Sequence, residues 1–356
     1  MFPFKDLKQI HLEITNNCQA SCPMCSRNIH GGLPNPLISI NEWTLDQFKS
    51  IINQEVLDQI DEIYFCGNFG DPLLNNDLLE MCRYVKDNSN VFVRIHTNGS
   101  LRSEQWWKDL ASALPTGHTV IIGIDGLADT HSRYRIGTDW HKIIRNARAF
   151  ISEGGQADWA FIVFEHNQHQ VDTARQLALD WGFHAFYEKQ STRFVNGPEY
   201  SVFDKDGKTV DTLKPADGTV IKFIDKKVIE NYKTVVEKTD IDCYVLGTKE
   251  IYIDAFMNLM PCCFLASTPY NYSDPDHPMF HLRQLALEQY NSLVADLGEI
   301  NTLKKSVKDI IDSEEYQTVW KSYWTDKKLL TCVKICGKND LSKPKDQFVE
   351  VIKFNE

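Results

Sequence analysis

The sequence predicts an α/β protein built as a partial (β/α)6, TIM-like barrel with a smaller unit at its C-terminal end. Two observations lead to this fold class. Strand-like and helix-like segments alternate between residues 10 and 190, and the composition changes after residue 190. Strands that are apolar along their whole length and are separated by helices are typical of a parallel sheet covered by helices. A closed eight-stranded barrel would need two more such units, and the sequence does not contain them.

Each element of the alternating region has a local sequence signature. Apolar, β-branched and aromatic segments predict six strands, at residues 10–16, 62–67, 91–99, 119–126, 159–166 and 184–189. The segments between them predict helices at residues 44–58, 78–87, 103–114, 139–152 and 168–181. Thr44 and Gln47 have the spacing of a capping box, and Ser103 and Asn167 stand where N-caps are expected. Gly182 is placed to end the last of these helices.

The chain after residue 190 is predicted to form a linker, a second unit and a tail. Gly, Pro and Asp recur at short intervals in residues 195–225, which indicates a linker with one β-hairpin. Residues 280–324 predict two helices of mixed polarity. The predicted division of the chain is a barrel at 1–194, a linker with a hairpin and a helix at 195–239, a cysteine-containing unit at 240–340 and a tail at 341–356.

Composition and charge exclude several classes of protein. A hydrophobic content of 42% and a charged content of 24% are typical of a globular protein. The formal net charge of −11 argues against nucleic-acid binding, which needs clustered Lys and Arg. The N-terminal residues have no signal-peptide pattern, and no segment has the ~18 apolar residues of a membrane span. We therefore expect a cytoplasmic protein without a nucleic-acid or membrane partner, in which the 10 cysteines stay reduced.

Three of those cysteines form the first candidate metal site. Cys18, Cys22 and Cys25 lie in the segment NCQASCPMCSRN, directly after the first predicted strand. Pro23 and the polar neighbours predict a loop, where three buried structural thiols would be unusual. A zinc site would need another ligand, and the first 190 residues contain no second C-x2-C or H-x3-H pair. An iron–sulfur cluster fits better because thiolates are its usual ligands, and three thiolates on a four-iron cluster leave one iron open.

This pattern resembles that of the radical S-adenosylmethionine (SAM) enzymes. The resemblance covers residues 8–190 and rests on C-x3-C-x2-C after the first strand of a partial (β/α)6 barrel. In that family the open iron of a 4Fe-4S cluster binds SAM, and reductive cleavage of SAM yields a 5′-deoxyadenosyl radical that abstracts hydrogen from a substrate. The resemblance implies that Cys18, Cys22 and Cys25 ligate this cluster. It also implies that Met24 takes the place of an aromatic residue beside the adenine.

A glycine-containing segment after the second strand adds to the resemblance. Residues 67–72, GNFGDP, are similar to the Gly-Gly-Glu-Pro-like segment that holds the SAM amino group in the family. The resemblance implies this role for Gly67, Gly70 and Asp71, although the Asp side chain is one methylene shorter than the usual Glu. Without the resemblance, GNFGDP would be interpreted as a turn.

The ends of the neighbouring strands provide further candidate residues. Asn98, in a Thr-Asn-Gly segment common in the family, and Asp125, in the segment IDG near the SAM ribose, are implied to bind the cofactor. Arg135 is expected to meet a carboxylate of SAM or substrate, or else to form an exposed salt bridge. Cys66 ends the second strand and is a candidate catalytic thiol for proton or hydrogen-atom chemistry, the alternative being a buried strand residue.

Five cysteines of the C-terminal unit form the second candidate site. Converging thiols in a cytoplasmic protein indicate a closed four-ligand site. The pattern resembles the twitch or SPASM extension of the radical SAM family. The resemblance implies one auxiliary 4Fe-4S cluster held by Cys243, Cys262, Cys332 and Cys336, with Cys263 as the alternative to Cys262. A structural zinc site is the other interpretation of these thiols.

We therefore expect a radical SAM enzyme with two 4Fe-4S clusters that acts on a peptide or a small-molecule substrate. The auxiliary cluster would take up the electron left after hydrogen abstraction, and a donor such as flavodoxin or ferredoxin would supply electrons. The first strand begins near residue 10, so no leader-binding domain is expected ahead of the barrel. The alternative is an iron–sulfur protein that binds or regulates without radical chemistry.

Overall fold

The computed structural model describes residues 1–191, 193–194, 197–219, 232–271, 280–338 and 348–354. The strands, in chain order, are β1 (Gln9–Leu12), β2 (Asn28–Ile29), β3 (Leu33–Pro34), β4 (Glu62–Phe65), β5 (Phe92–Thr97), β6 (His118–Gly123), β7 (Ala157–Val163), β8 (Ala185–Gln190), β9 (Tyr200–Phe203), β10 (Thr209–Leu213), β11 (Glu250–Ile253), β12 (Leu259–Met260) and β13 (Phe348–Lys353). Nine of them form one sheet in the order β12-β11-β1-β4-β5-β6-β7-β8-β13. The pairs β2–β3 and β9–β10 lie outside this sheet.

The central part of the sheet is parallel, from β11 through to β8. β1 has a partner on each side, because Gln9 pairs with Glu250 of β11 and with Glu62 of β4. The edge strands β12 and β13 run antiparallel to their neighbours. The six predicted strands correspond to β1, β4, β5, β6, β7 and β8, and the predicted α/β class with a partial barrel is confirmed.

The helices of the described residues are α1 (Leu45–Ile51), α2 (Gln54–Gln59), α3 (Leu78–Asn88), α4 (Glu104–Ala113), α5 (His131–Tyr134), α6 (Trp140–Ser152), α7 (Val171–Asp180), α8 (Tyr232–Lys238), α9 (Val245–Thr248), α10 (Cys263–Ala266), α11 (Phe280–Leu297), α12 (Val307–Ile311), α13 (Glu314–Thr325) and α14 (Leu330–Cys336). The capping box of Thr44 and Gln47 and the N-cap at Ser103 are confirmed. Among the helices described, none is both long and apolar enough to cross a bilayer.

Two predicted helix features are wrong. The single helix predicted at 44–58 is α1 and α2, because the side chain of Asn53 accepts a hydrogen bond from the N–H of Val56 and starts a new helix. Asn167 does not cap α7. Its side-chain oxygen accepts from the N–H of Phe164 at 2.7 Å, and a 3-10 turn precedes the α-helix.

The barrel strands have an apolar face and a polar face. Because side chains alternate along a strand, Ile10 and Leu12 face the helices and are fully buried, whereas His11 faces the interior. The His11 ring lies 4.8 Å from the ring of Tyr64 on β4 and 4.8 Å from that of Tyr252 on β11. A buried but polar interior is typical of a surface that surrounds a bound molecule rather than of a packed core.

The C-terminal unit shares the barrel sheet, since β11 pairs with β1. The predicted hairpin within 195–225 is present as β9 and β10. The region 280–324, predicted as two helices, contains α11, α12 and α13, because the side chains of Ser306 and Ser313 cap two separate helices. The predicted domain boundaries stay predictions, and residues 220–231 and 341–347 lie outside the described residues.

Trp159 on β7 is expected to contribute strongly to the stability of the barrel. Its side chain is fully buried, its ring lies 6.1 Å from that of Trp181, and its Nε1–H donates to the carbonyl oxygen of Ile124 at 2.8 Å. Trp159→Ala should lower the free energy of unfolding by about 3 to 5 kcal/mol because it leaves a cavity, as measured by urea unfolding followed by circular dichroism. Leu179→Ala, which truncates an exposed side chain on α7, should cost less than about 0.5 kcal/mol. Equal losses of unfolding free energy in the two variants would contradict the contribution of Trp159 to the barrel core.

Candidate functional site

Residues 17–28, here called the three-cysteine loop, follow β1 and are held in an ordered conformation. The N–H of Cys25 donates to the carbonyl oxygen of Cys22 at 3.0 Å, and the N–H of Ser21 donates to Ile136 at 2.8 Å. Cys22 and Met24 are buried in an apolar cluster, and Cys18 and Cys25 pack against it. The other buried members of the cluster are Ala20, Tyr134, Phe164, Phe194, Val202 and Leu213.

The three thiols are a donor set suited to an iron–sulfur cluster. Burial, Asp71 and the neighbouring thiols raise the pKa of Cys18 well above its usual range. Burial and the Cys25 thiol raise the pKa of Cys22 to about 11, although Arg135 lowers it. Thiols in such a position ionise when a metal cation neutralises them. Within the described part of the chain, no three His, Cys, Asp or Glu side chains are arranged around a single metal ion. The thiolates of a four-iron cluster each bind a different iron, so the chemistry of these donors fits that group.

Residues 67–72, here called the glycine loop, pack against the end of β1 with no space for added side chains. A Cβ on Gly70 would lie 1.8 Å from the carbonyl oxygen of Thr15. A Cβ on Gly67 would lie 2.7 Å from Oε1 of Glu13. Both glycines are therefore required for the close approach of this backbone to β1.

Asp71 connects the glycine loop to the three-cysteine loop and to β5. Its N–H donates to the carbonyl oxygen of Asn17 at 2.8 Å. Its carboxylate accepts from Thr97 Oγ1 at 2.8 Å, and from the backbone N–H of Asn98 at 2.8 Å and its side-chain amide. Burial raises the pKa of Asp71, and these hydrogen bonds lower it. The same Asn98 amide lies 3.8 Å from Sγ of Cys18, so Asp71 and Asn98 both stand beside the predicted cluster site.

Asp125 and Arg135 form an ion pair next to Cys22 in which Asp125 is fully buried and Arg135 is partly buried. Nε of Arg135 donates to Oδ2 of Asp125 at 2.5 Å, and the N–H of Ile162 donates to Oδ1 at 2.6 Å. The Arg135 side chain also forms a hydrogen bond with Cys22 that lowers the pKa of that thiol. A Cβ on Gly123 would lie 2.4 Å from Nη2 of Arg135, so the glycine makes room for the guanidinium. The expected salt bridge of Arg135 is thus buried rather than exposed, and the roles of both residues toward SAM stay predictions.

Four of the C-terminal cysteines line a single cavity. Cys243, Cys262, Cys332 and Cys336 surround it together with Trp320 and neighbouring apolar side chains. A hydrogen bond with Cys336, followed by burial and by the other thiols, raises the pKa of Cys243 far above its usual range. These are the four residues that the sequence predicts as auxiliary ligands, and four thiols in one place suit a closed cluster.

Cys263 lies outside the set that lines this cavity. Burial raises the pKa of its thiol, and Cys262, Glu250, Cys66 and Glu13 raise it further, in that order of size. The side-chain amide of Asn68 in the glycine loop donates to the carbonyl oxygen of Cys263 at 2.8 Å. The geometry therefore favours Cys262 over Cys263 as the fourth thiol of the cavity.

Cys66, the candidate catalytic thiol, lies in the polar interior at the end of β4. Burial raises the pKa of its thiol to about 11, even though a hydrogen bond with Tyr64 acts to lower it. Nε2 of His11 lies 2.5 Å from the Cys66 carbonyl oxygen, and the Tyr64 hydroxyl lies 3.1 Å from Nδ1 of His96. His96 therefore has a structural partner, and the thiol of Cys66 stands among groups that can exchange protons.

Two interior residues were missed by the sequence analysis. The carboxylate of Glu13 is fully buried and accepts from the hydroxyl of Tyr252 at 2.5 Å and from the N–H groups of Phe69 and Gly70 at 2.8 and 3.1 Å. The sequence does contain a signal for Glu13. Every second residue of the segment Q-I-H-L-E is polar, so one face of this strand is polar, whereas a strand packed on both faces would be apolar throughout. Tyr252 has no comparable signal, because its role depends on β11 lying beside β1.

Comparison with known proteins identifies the family of the N-terminal region. The model of the Radical SAM superfamily matches residues 12–177. Over 126 residues, or 35% of this chain and 31% of the relative, the sequence is 28% identical to the PqqA peptide cyclase of Bradyrhizobium diazoefficiens. Over 127 residues, or 32% of this chain and 33% of the relative, it is 28% identical to the tungsten-containing aldehyde ferredoxin oxidoreductase cofactor-modifying protein of Pyrococcus furiosus. The matches thus span about a third of the length of these curated relatives.

Solved structures share the fold over most of the chain. Streptococcus suis SuiB bound to the precursor peptide SuiA has a TM-score of 0.53 at 13% identity, covering 89% of this chain and 66% of SuiB. Native anSMEcpe with bound AdoMet and Kp18Cys peptide has a TM-score of 0.51 at 14% identity, covering 96% of this chain and 92% of that one. At such identities the likeness is one of fold. The match to the family model shows a radical SAM domain at residues 12–177 of this chain.

Proposed function

We propose that this protein is a radical SAM enzyme with an auxiliary 4Fe-4S cluster that oxidises a peptide substrate. The observation that carries the proposal is the position of the glycine loop. On one side the N–H of Asp71 donates to Asn17 in the three-cysteine loop. On the other side Asn68 donates to the carbonyl oxygen of Cys263, next to the thiols of the second cavity. One loop thus contacts both thiol-bearing segments, which supports two clusters at one mouth of the barrel.

In this proposal Cys18, Cys22 and Cys25 hold the first cluster. When bound, this cluster supplies the electron that cleaves SAM to a 5′-deoxyadenosyl radical. The residues proposed to bind and orient SAM are Met24, Gly67, Gly70, Asp71, Asn98, Asp125 and Arg135. Their contribution is a rigid, water-poor pocket, because buried hydrogen bonds or close packing fix the positions of the glycine loop, Asp71 and the Asp125–Arg135 pair.

The second cluster is proposed to be held by Cys243, Cys262, Cys332 and Cys336. Four thiolates close the coordination of a four-iron cluster, so this site would exchange electrons rather than bind a substrate. Hydrogen-atom abstraction followed by loss of a proton leaves one electron on the substrate, and the second cluster is the proposed acceptor for it. A donor such as flavodoxin or ferredoxin is proposed to reduce the protein. Cys66 is the candidate group for the accompanying proton transfer.

The names of related proteins support a peptide as the substrate. One curated relative is a peptide cyclase, and SuiB was solved with a precursor peptide bound. A small molecule is the second candidate, because the other curated relative is named as a cofactor-modifying protein. An iron–sulfur protein without radical chemistry remains the competing hypothesis for the whole chain, and cleavage of SAM separates it from an enzyme.

The first prediction concerns the two clusters and the cleavage of SAM. Protein reconstituted without oxygen should contain about eight irons per chain and form 5′-deoxyadenosine when SAM and dithionite are added. Cys22→Ala should retain about four irons and form none, because only the first cluster is lost. Iron analysis and chromatography of the products measure both quantities.

Cys82→Ala is the matched control for Cys22→Ala, since Cys82 is fully buried on α3 in the apolar core. This variant should keep the iron content and the cleavage of the unmodified protein. Two intact clusters without cleavage of SAM would overturn the proposed reaction in favour of the non-radical hypothesis. Zinc in place of iron would overturn both the proposed reaction and the hypothesis of an iron–sulfur protein without radical chemistry.

The second prediction separates the two adjacent cysteines. Cys262→Ala should lose about four irons and the corresponding part of the absorption near 400 nm, because Cys262 lines the cavity with the other three thiols. Cys263→Ala should keep all the iron, because Cys263 is not among the residues that line this cavity. The opposite result would show that Cys263 is the ligand.

A further inference from the structure

A chain of hydrogen bonds joins the glycine loop to the C-terminal unit through Glu13. One carboxylate oxygen of Glu13, Oε1, accepts from the N–H groups of Phe69 and Gly70 at 2.8 and 3.1 Å. The other oxygen, Oε2, accepts from the hydroxyl of Tyr252 at 2.5 Å. Tyr252 lies on β11, so the backbone of the glycine loop and the C-terminal unit are held by the same carboxylate.

Asn68 makes a second connection between the same two segments. Its side-chain amide donates to the Tyr252 hydroxyl at 3.3 Å and to the carbonyl oxygen of Cys263 at 2.8 Å. Cys263 directly follows Cys262, one of the four thiols that line the second cavity. The connections therefore run from the glycine loop to the segment that is proposed to hold the auxiliary cluster.

Burial makes these hydrogen bonds energetically important. The side chains of Glu13 and Tyr252 are 2% and 0% exposed, so neither group can exchange a lost partner for bulk water. A buried carboxylate that loses a donor pays the desolvation cost of that oxygen, which exceeds the net value of an ordinary hydrogen bond. The close packing at Gly67, where a Cβ would lie 2.7 Å from Oε1 of Glu13, leaves the carboxylate little room to find another arrangement.

We propose that Tyr252 is a positioning residue for the SAM-binding loop and couples that loop to the auxiliary-cluster segment. The inference rests on the proposed function, because it takes the glycine loop as the SAM site. Tyr252 fixes Oε2 of Glu13, Oε1 then fixes the two backbone N–H groups, and the loop carbonyls are oriented for an incoming ammonium group. Because coupling between sites is reciprocal, loss of the auxiliary cluster weakens SAM binding through the same contacts.

Tyr252→Phe tests the positioning role by removing one hydroxyl and keeping the ring. Titration calorimetry of the reconstituted, unreduced protein with SAM should give about tenfold weaker binding than the unmodified protein, as expected for losing a buried hydrogen bond to a carboxylate. Iron content should not change, since Tyr252 is not among the residues that line the auxiliary cavity. The change that SAM produces in the electron paramagnetic resonance spectrum of the reduced first cluster should need correspondingly more SAM.

Tyr187→Phe is the matched control. Its hydroxyl also donates to a buried carboxylate, that of Asp158 at 3.1 Å, but on β8 at the other side of the sheet. SAM affinity in this variant should equal that of the unmodified protein. Equal affinity in Tyr252→Phe and Tyr187→Phe would overturn the positioning role. If the unmodified protein binds no SAM at all, the proposed function fails and not only this inference.

The coupling is tested with Cys332→Ala, which removes an auxiliary ligand on α14 without touching the hydrogen-bond chain. This variant should bind SAM several-fold more weakly than the unmodified protein, and adding Tyr252→Phe to it should cause little further loss. If the two substitutions weaken SAM binding independently, so that their fold-changes in affinity multiply in the double variant, the coupling is overturned. If Tyr252→Phe does not fold, Asn68→Ala provides the same comparison, because it removes the contacts to both Tyr252 and Cys263.

Discussion

The parallel pairing of β1 on both of its edges is the constraint on which the site depends. β1 pairs with β4 and β11 in matching register, so the ends of three strands come from different parts of the chain to one edge of the sheet. The three-cysteine loop follows β1, the glycine loop follows β4, and the turn toward Cys262 follows β11. Neither thiol set is near the other in sequence. Both thiol sets lie near the same glycine loop because the order of strands in the sheet brings β1, β4 and β11 side by side. Interactions between residues close in sequence could not produce this arrangement.

Burying polar groups in the barrel interior costs free energy, and hydrogen bonds to each buried carboxylate offset that cost. Asp71 accepts from Thr97 at the end of β5 and from Asn98 directly after it. Asp125 accepts from Arg135 and from an N–H of β7, and Glu13 accepts from Tyr252 and the glycine loop. Each carboxylate also fixes a loop or strand end, so the same hydrogen bonds that compensate for burial define the geometry of the mouth. Each of these carboxylates therefore fixes the position of a neighbouring loop or strand end, whatever further role it has.

The barrel strands and the cysteine sets are features that short stretches of the sequence predict. Apolar segments predicted the six barrel strands. The resemblance to the twitch or SPASM extension pointed to the four cysteines that line one cavity, and their role as cluster ligands stays a prediction. Sequence reasoning could not find Tyr252, because β11 joins β1 across more than two hundred residues and no local pattern records that pairing. It also extended a helix past Asn53, where a cap competes with an otherwise helical sequence. The errors thus occur where tertiary contacts or side-chain caps override periodicity.

The nine-stranded sheet is open at both edges within the described residues. Its two edge strands, β12 and β13, run antiparallel to their neighbours β11 and β8. Within the described residues β12 and β13 lie at opposite ends of the sheet and do not pair with each other. A closed barrel fills its interior with packed side chains, whereas the interior here carries the polar side chains of His11, Tyr64 and Cys66. The incomplete barrel and the polar interior are therefore two parts of one arrangement, because strands that do not close around a packed core can present polar groups inward.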